Sequence, residues 1–184
     1  TELICKILNI CHQEKITHIL PLTDIEIDLF SEQRQAFDDL GVTLCIPSTS
    51  AISICRDKWL VYQQFLPSSL VKVIPTFRID EDIEHLTPFP LLAKPRKGRS
   101  SEGLVRLSDT ADLQHLRTRT SAKACIIQPL LSGPVHVVDI VRQQSNQKWA
   151  ATSRIELMRT PNGAGTAVQM TANAQLIGIA RTIA

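Results

Sequence analysis

The chain has 184 residues, 43% of them apolar and 21% charged, which is ordinary usage for one or two compact domains and excludes a disordered chain. Its formal charge of +2 is too balanced for bulk attraction to nucleic acid or to an anionic membrane to be its main business. Aromatic residues are 4%, which leaves little for a base-stacking surface, and no apolar run reaches the roughly 18 residues of a spanning helix.

The first third reads as alternating helix and strand. Residues 2–14 are compatible with a helix, and 16–22 form a short apolar run of buried-strand type. Thr23 and Glu26 stand in the capping-box spacing. Ile25, Leu29, Ala36, Phe37 and Leu40 then lie near one helix face, with Gly41 as the stop. Residues 42–46 read as another strand, and this β-α-β order predicts a parallel sheet covered by helices. Too few strands are present for a whole domain of that kind, so the segment reads as the end of one.

The middle changes character. Residues 57–66 read as a helix with Trp59, Tyr62, Phe65 and Leu66 as its apolar positions, closed by Pro67. Residues 73–77 and 89–95 read as extended pieces. The acidic run at 81–84 is expected to open a solvated helix. A strand is expected at 104–107, a helix from Ser108 or Asp109 through Leu116, and a strand at 124–131. The last third is strand-rich: 135–142 and 149–158 flank a polar turn at 143–148, and Asn162-Gly163-Ala164-Gly165 signals another turn. Leu176, Ile179, Ala180 and Ile183 have helical spacing near the end of the chain. The missing initiator Met and the uncapped last helix suggest trimming at both ends.

The cysteines (Cys5, Cys11, Cys45, Cys55 and Cys125) are odd in number, irregular in spacing and without a C-x-x-C pair. That pattern argues against a disulfide framework or a thiolate zinc site, and predicts mostly small apolar packing residues in a reducing, cytosolic compartment. His12, His18, His85 and His115 are scattered without metal-ligand spacing, and no metal ligand is assigned in the chain.

The most informative stretch is 94–103, which holds two glycines, two serines and four basic residues. Glycines allow backbone N–H groups to converge, hydroxyls add donors, and Lys and Arg add charge, so the stretch can cradle phosphate oxygens. The spacing of Gly98 and Gly103 looks like a P-loop only superficially, because Leu104 and Val105 follow where Lys and Ser or Thr are required. A solvated surface turn remains the plain alternative. A further alternative is an anion or nucleic-acid patch using Lys94, Arg96, Lys97, Arg99 and Arg106.

Other motifs fall in an order that carries more weight. Asp57-Lys58-Trp59 opens a helix, Thr76 follows Pro75, Lys94-Pro95 precedes the glycine loop, Gln128-Pro129-Leu130-Leu131-Ser132-Gly133 ends a strand, and Arg154-Ile155-Glu156 sits in a late strand. In that order the chain resembles the ATP-grasp superfamily, and within it the ATP-binding domain of carbamoyl phosphate synthase large subunits and their stand-alone relatives. The run 19–26 is similar to the end of the domain that precedes the grasp.

The resemblance implies an α/β chain (α+β lobes) with a partial ATP-grasp fold, preceded by the end of a Rossmann-like pre-ATP-grasp domain. It implies three parts: 1–54 for that preceding domain, 55–130 for the small lobe and hinge, and 131–184 for an incomplete large lobe. It further implies that Lys58 and Lys94 contact ATP phosphates, and that the loop with Gly98, Arg99, Ser100, Ser101 and Gly103 folds over the β- and γ-phosphates. Gln128 and Leu130 would form the adenine edge through backbone groups, and Arg154 would approach the γ-phosphate or the phosphorylated intermediate as the catalytic residue. The implied reaction is ATP-dependent ligation through an acyl phosphate, with an adenine nucleotide and a small acceptor as partners.

Two departures from the pattern are visible. Val135 stands where the superfamily usually carries a ribose-binding Glu, and the adjacent His136 would face the other way on a strand, as a structural histidine. After Glu156 the chain contains no Asp or Glu, whereas Mg²⁺ is held by late carboxylates in the superfamily. Glu156 is therefore either a lone late ligand or a salt-bridge partner of Arg154 or Arg159. Mg²⁺ is expected to be held by residues beyond this chain, which by itself is expected to be inactive or nearly so. A non-catalytic nucleotide-binding module is the alternative to a ligase.

Overall fold

The computed structural model describes residues 2–83, 88–119, 124–143 and 146–184. The chain divides into two compact units, 1–56 and 57–184.

In the first unit, β1 (His18–Ile19) and β2 (Thr43–Leu44) pair in parallel. They are accompanied by α1 (Glu2–Gln13), α2 (Asp24–Glu32), α3 (Arg34–Asp39) and α4 (Thr49–Cys55). The expected capping box is formed with both limbs: Thr23 Oγ1 accepts from the Glu26 N–H at 3.3 Å, and Glu26 Oε2 accepts from the Thr23 N–H at 2.9 Å. The expected single helix over 24–40 is instead two, interrupted at Gln33, which leaves helical geometry with φ −113° and ψ 17°. Phe30 and Phe37 on either side of the break meet in a tilted pair, with ring centroids 5.4 Å apart, and anchor the unit's core with Ile4, Cys11, Val42 and Leu44. Seven residues apart, the two rings would share one face of an unbroken helix as well, so their packing does not require the break. α4 has no counterpart among the predicted elements; Ser48 caps it by accepting from the Ala51 N–H at 3.2 Å.

The second unit begins with α5 (Lys58–Phe65), capped by Asp57. Its four-stranded sheet runs in the order β3 (Phe77–Arg78), β6 (Cys125–Pro129), β4 (Leu91–Pro95), β5 (Val105–Leu107), antiparallel throughout, with α6 (Thr110–Arg117) after β5. Its core is Ile79, Ile83, Leu91, Ala93, Leu107, Leu113, Leu116 and Ile127. Ile83 is fully buried and residues 81–83 are not helical, so the acidic run does not open a helix among the described residues; Glu84 lies outside them. The apolar side chain of Ile83 wins over the neighbouring charge, because it buries a whole side chain while Asp82 stays exposed.

A second sheet follows, the antiparallel meander β7 (Val135–Arg142), β8 (Trp149–Arg159) and β9 (Gly165–Thr171). The predicted hairpin is present, although Gln144 and Ser145 of its turn lie outside the described residues. Register places Val135, Val137 and Asp139 on one face with Glu156, Arg154 and Thr152. The other face meets α7 (Ala174–Ile183), where the Arg181 guanidinium lies 4.9 Å from the Trp149 ring centroid. On that face Ser153 Oγ bonds Thr171 and accepts from the Asn173 N–H at 3.1 Å, and Ser153 is the one buried residue described in 131–184. All five cysteines are free thiols; Cys11 is buried, Cys125 partly so, and Cys5, Cys45 and Cys55 are exposed. No described helix is long and apolar enough to cross a membrane.

Candidate functional site

A cavity of about 330 Å³ opens in the second unit between α5, the extended segment 72–76 and the strands β4 and β6. Lys58, Lys94 and Gln128 line it, with Tyr62, Lys72 and Thr76 among the other walls.

Each functional side chain has a local reason for its place. Asp57 is buried; its Oδ1 accepts from the Trp59 N–H at 3.0 Å, which fixes the first turn of α5 and sets Lys58 beside the strand end of β4. The same carboxylate takes a two-pronged grip from Arg96, with Nε to Oδ1 at 3.1 Å and Nη2 to Oδ2 at 2.6 Å. Burial pushes the Asp57 carboxyl up, but the Arg96 hydrogen bonds and the Trp59 N–H outweigh it and hold it below the ordinary aspartate range. The backbone joins in, with the Lys58 N–H donating to Arg96 O at 3.0 Å. Lys58 Nζ donates to the carbonyls of Pro95, Arg96 and Gly98 at 3.1, 3.4 and 3.2 Å. Lys58 therefore clamps the base of the glycine loop while it borders the cavity.

Lys94 differs. It is half-buried on β4, and among the described residues no carboxylate faces it. Burial first, and then the nearby Lys58 charge, push its ammonium below the ordinary lysine range. Lys58 is lowered too, by burial, with Asp57 opposing. Two crowded ammonium groups, one without an acidic partner, make a place where an anion relieves the strain between like charges.

The glycine loop joins β4 to β5. Ser100 and Ser101 both adopt left-handed backbone, at φ 54° and 57°. Gly103, at φ +71°, packs so close to Pro95 that a Cβ there would lie 2.8 Å from the ring, so only glycine closes this loop. Ser101 reaches the β8–β9 turn: a Cβ on Gly163 would stand 2.8 Å from Ser101 Oγ. Gly98, Arg99, Ser100, Ser101, Gly103, Leu130 and Arg154 are not among the residues lining the cavity.

Arg154 lies on β8 and is ion-paired with Asp139 of β7, a partner that no sequence motif marked. Glu156 stands opposite Val135 on the same face, and its carboxylate is buried against Gly165 with Arg159 Nε 2.7 Å from Oε2. His136 is exposed on the opposite face rather than satisfied inside. Among the described residues no three His, Cys, Asp or Glu side chains come together. With Glu156 taken up by Arg159, the donor set does not suit Mg²⁺, which asks for oxygen ligands from free carboxylates.

At the strand end expected to form an adenine edge, the backbone groups are already engaged. The Leu130 N–H is committed to Pro90 O at 3.1 Å, and Gln128 pairs with Leu92 inside the sheet. What faces the cavity at this point is the Gln128 side chain, whose Nε2 donates to Thr76 Oγ1 at 2.7 Å.

Comparison with known proteins sets this geometry in a fold. Residues 1–45 match the family described as PylC-like, N-terminal domain. No curated protein matches the chain. The biotin carboxylase domain of Hydrogenobacter thermophilus 2-oxoglutarate carboxylase, solved with MgADP, ADP and bicarbonate, is 13% identical with a TM-score of 0.71, over 97% of this chain and 43% of that one. N5-carboxyaminoimidazole ribonucleotide synthetase from Thermotoga maritima is 14% identical with a TM-score of 0.59, over 91% of this chain and 43% of that one. D-alanine–D-alanine ligase from Helicobacter pylori is 16% identical with a TM-score of 0.56, over 83% of this chain and 52% of that one. The chain thus spans about half or less of the length of these structures. All three are ATP-grasp enzymes, and the chain has the ATP-grasp fold.

Proposed function

We propose that the chain is the ATP-binding part of an ATP-dependent ligase, of the carboxylate–amine or carbamoyl-phosphate-synthase-like kind, in which 1–54 is the end of the preceding domain, 55–130 the small lobe and hinge, and 131–184 part of the large lobe. The observation that carries the reading is Lys94: a half-buried ammonium that no carboxylate faces among the described residues, set beside Lys58 on a cavity of about 330 Å³ in an ATP-grasp fold.

In this reading Lys94 neutralises phosphate charge, and Lys58 holds the loop base so that the loop N–H groups and the hydroxyls of Ser100 and Ser101 meet the β- and γ-phosphates. Gln128 and Leu130 border the base. Arg154, oriented by Asp139, meets the phosphoryl group in transfer. A carboxylate oxygen of the acceptor attacks the γ-phosphorus and ADP leaves; an amine or other nucleophile then attacks the acyl phosphate and phosphate leaves. Positioning and charge neutralisation carry most of such a transfer, and these are what lysines in a closed cleft supply. The compartment proposed is the cytoplasm.

Mg²⁺ does not fit the residues present. This chain alone is accordingly proposed to turn over little or no ATP. Val135, where an acidic ribose contact would stand, favours a second reading as a nucleotide-binding module without catalysis.

The test is calorimetric titration with ADP and ATP, with and without Mg²⁺, beside a Lys94→Ala variant. Adenine-nucleotide binding that weakens at least about 10-fold in the variant supports the cleft, as expected for loss of a charge-assisted phosphate contact. A folded chain that binds neither nucleotide refutes it. Turnover by the full-length protein separates the ligase from the non-catalytic module.

A further inference from the structure

The hydrogen bonds around Thr76 form one directed chain that serves each protein group in it. Thr76 is buried and has a single hydroxyl proton, which it donates to Ile74 O at 2.8 Å. Toward Gln128 the same oxygen can then only accept, and it does so from Nε2 at 2.7 Å. The carboxamide is thereby held with nitrogen toward Thr76, an orientation set by the network and not by the shape of the side chain. Its oxygen makes no hydrogen bond among the described residues, and Gln128 borders the same cavity as Lys94. The Leu130 N–H is spent on Pro90 O and is not offered to a base.

We propose that Thr76 is a positioning residue for base selection: by fixing the Gln128 amide it presents Oε1 as an acceptor to the exocyclic amino group of a 6-aminopurine, so that the cleft takes adenine and turns away 6-oxopurines. This rests on the nucleotide reading above. A 6-oxo group would set one acceptor against another, and a site built to accept from an amino group discriminates strongly against an analogue that cannot donate. An unrestrained glutamine would flip its amide and serve both bases, which is why the threonine matters.

The experiment is titration of the chain with ADP and with inosine 5′-diphosphate, for the wild type, Thr76→Val, Thr76→Ser and Gln128→Leu, each checked for cooperative melting. The wild type is expected to prefer ADP by about 10-fold or more. Thr76→Val, nearly the same shape without the hydroxyl, should weaken ADP by about 3- to 10-fold, the worth of one neutral hydrogen bond, and leave inosine diphosphate unchanged or tighter. Thr76→Ser should restore the preference, which a merely structural role for the methyl-bearing side chain would not do. Should Thr76→Val fail to fold, Gln128→Leu decides in its place, and an ADP preference that survives it overturns the proposal. Equal weakening of both nucleotides in Thr76→Val, or a wild type that binds both alike, overturns the role of Thr76 while leaving the nucleotide cleft standing. A wild type that binds neither overturns both.

Discussion

Asp57→Ala is the perturbation whose size follows most directly from the geometry. The carboxylate is 3% exposed and accepts three hydrogen bonds, one from the start of α5 and two from Arg96. Losing the helix cap costs about 0.5–2 kcal/mol. Breaking a fully buried pair costs about 3–5 kcal/mol, but the Arg96 side chain is 36% exposed and regains water, so roughly 1–2 kcal/mol is the better figure here. The sum is about 2–4 kcal/mol, or a fall in Tm of about 5–12 °C for a chain of this size. Scanning calorimetry of Asp57→Ala, Arg96→Ala and the double variant reads both the total and a coupling of about 1–2 kcal/mol between the two residues. The pH dependence has a fixed sign. Asp57 is held below its unfolded value, so its stabilisation is present above an ordinary aspartate pKa of about 3.9 and is lost as pH falls through the lower folded value. Asp57→Asn should flatten that acid limb. A Tm change under about 2 °C for Asp57→Ala, or no coupling with Arg96, would refute the reasoning.

Three further outcomes are expected. Lys94→Met should raise Tm by about 1–5 °C while weakening nucleotide binding at least about 10-fold, because a half-buried cation that no carboxylate faces among the described residues costs stability in the empty cleft. The folded pKa of Lys94 lies below the unfolded one, so the unfolded chain binds more protons and wild-type stability should climb with pH toward about 10.4; melts between neutral and alkaline pH should show that slope reduced in the variant, with Lys58 keeping the remainder. Gly163→Ala, at φ +87° and against Ser101, should cost about 1–2 kcal/mol, and adding Ser101→Ala should recover part of it; equal melting of the single and double variants rules out the contact. Thr23→Ala should cost the first unit about 0.5–2 kcal/mol in urea unfolding, and no change would show that the capping box there is ornamental.

What could be read in advance was local. The capping box at Thr23, the helix start at Asp57 and the hairpin of β7 and β8 rest on short-range patterns, and the structure shows all three. α4 escaped because its seven residues include none that is buried, so no apolar period marks it. β9 escaped because Thr166, Ala167, Gln169 and Thr171 blur the alternation of a strand exposed along most of its length. The break at Gln33 has neither Pro nor Gly to announce it, so no local signal marks it. At the site, Lys58 and Lys94 stood out by motif, whereas their surroundings depend on pairings across sequence. Asp57 meets Arg96 and Thr76 meets Gln128 across separations of 39 and 52 residues, which no periodicity records. Asp139, the partner of Arg154, becomes visible only once strand register puts the two on one face.

The two sheets of the second unit are held by different means, and this sets the order in which they breathe. β4 and β6 bury Leu91, Ala93, Ile126 and Ile127 at 1% exposure or less, whereas across β7, β8 and β9 the one described residue buried as a whole is the hydroxyl-bearing Ser153. Amides of the first sheet should exchange with solvent only when the whole unit unfolds, and those of the meander through cheaper sub-global openings. The surface that carries Arg154 therefore belongs to a separate foldon, one whose opening leaves Lys94 and its cavity intact.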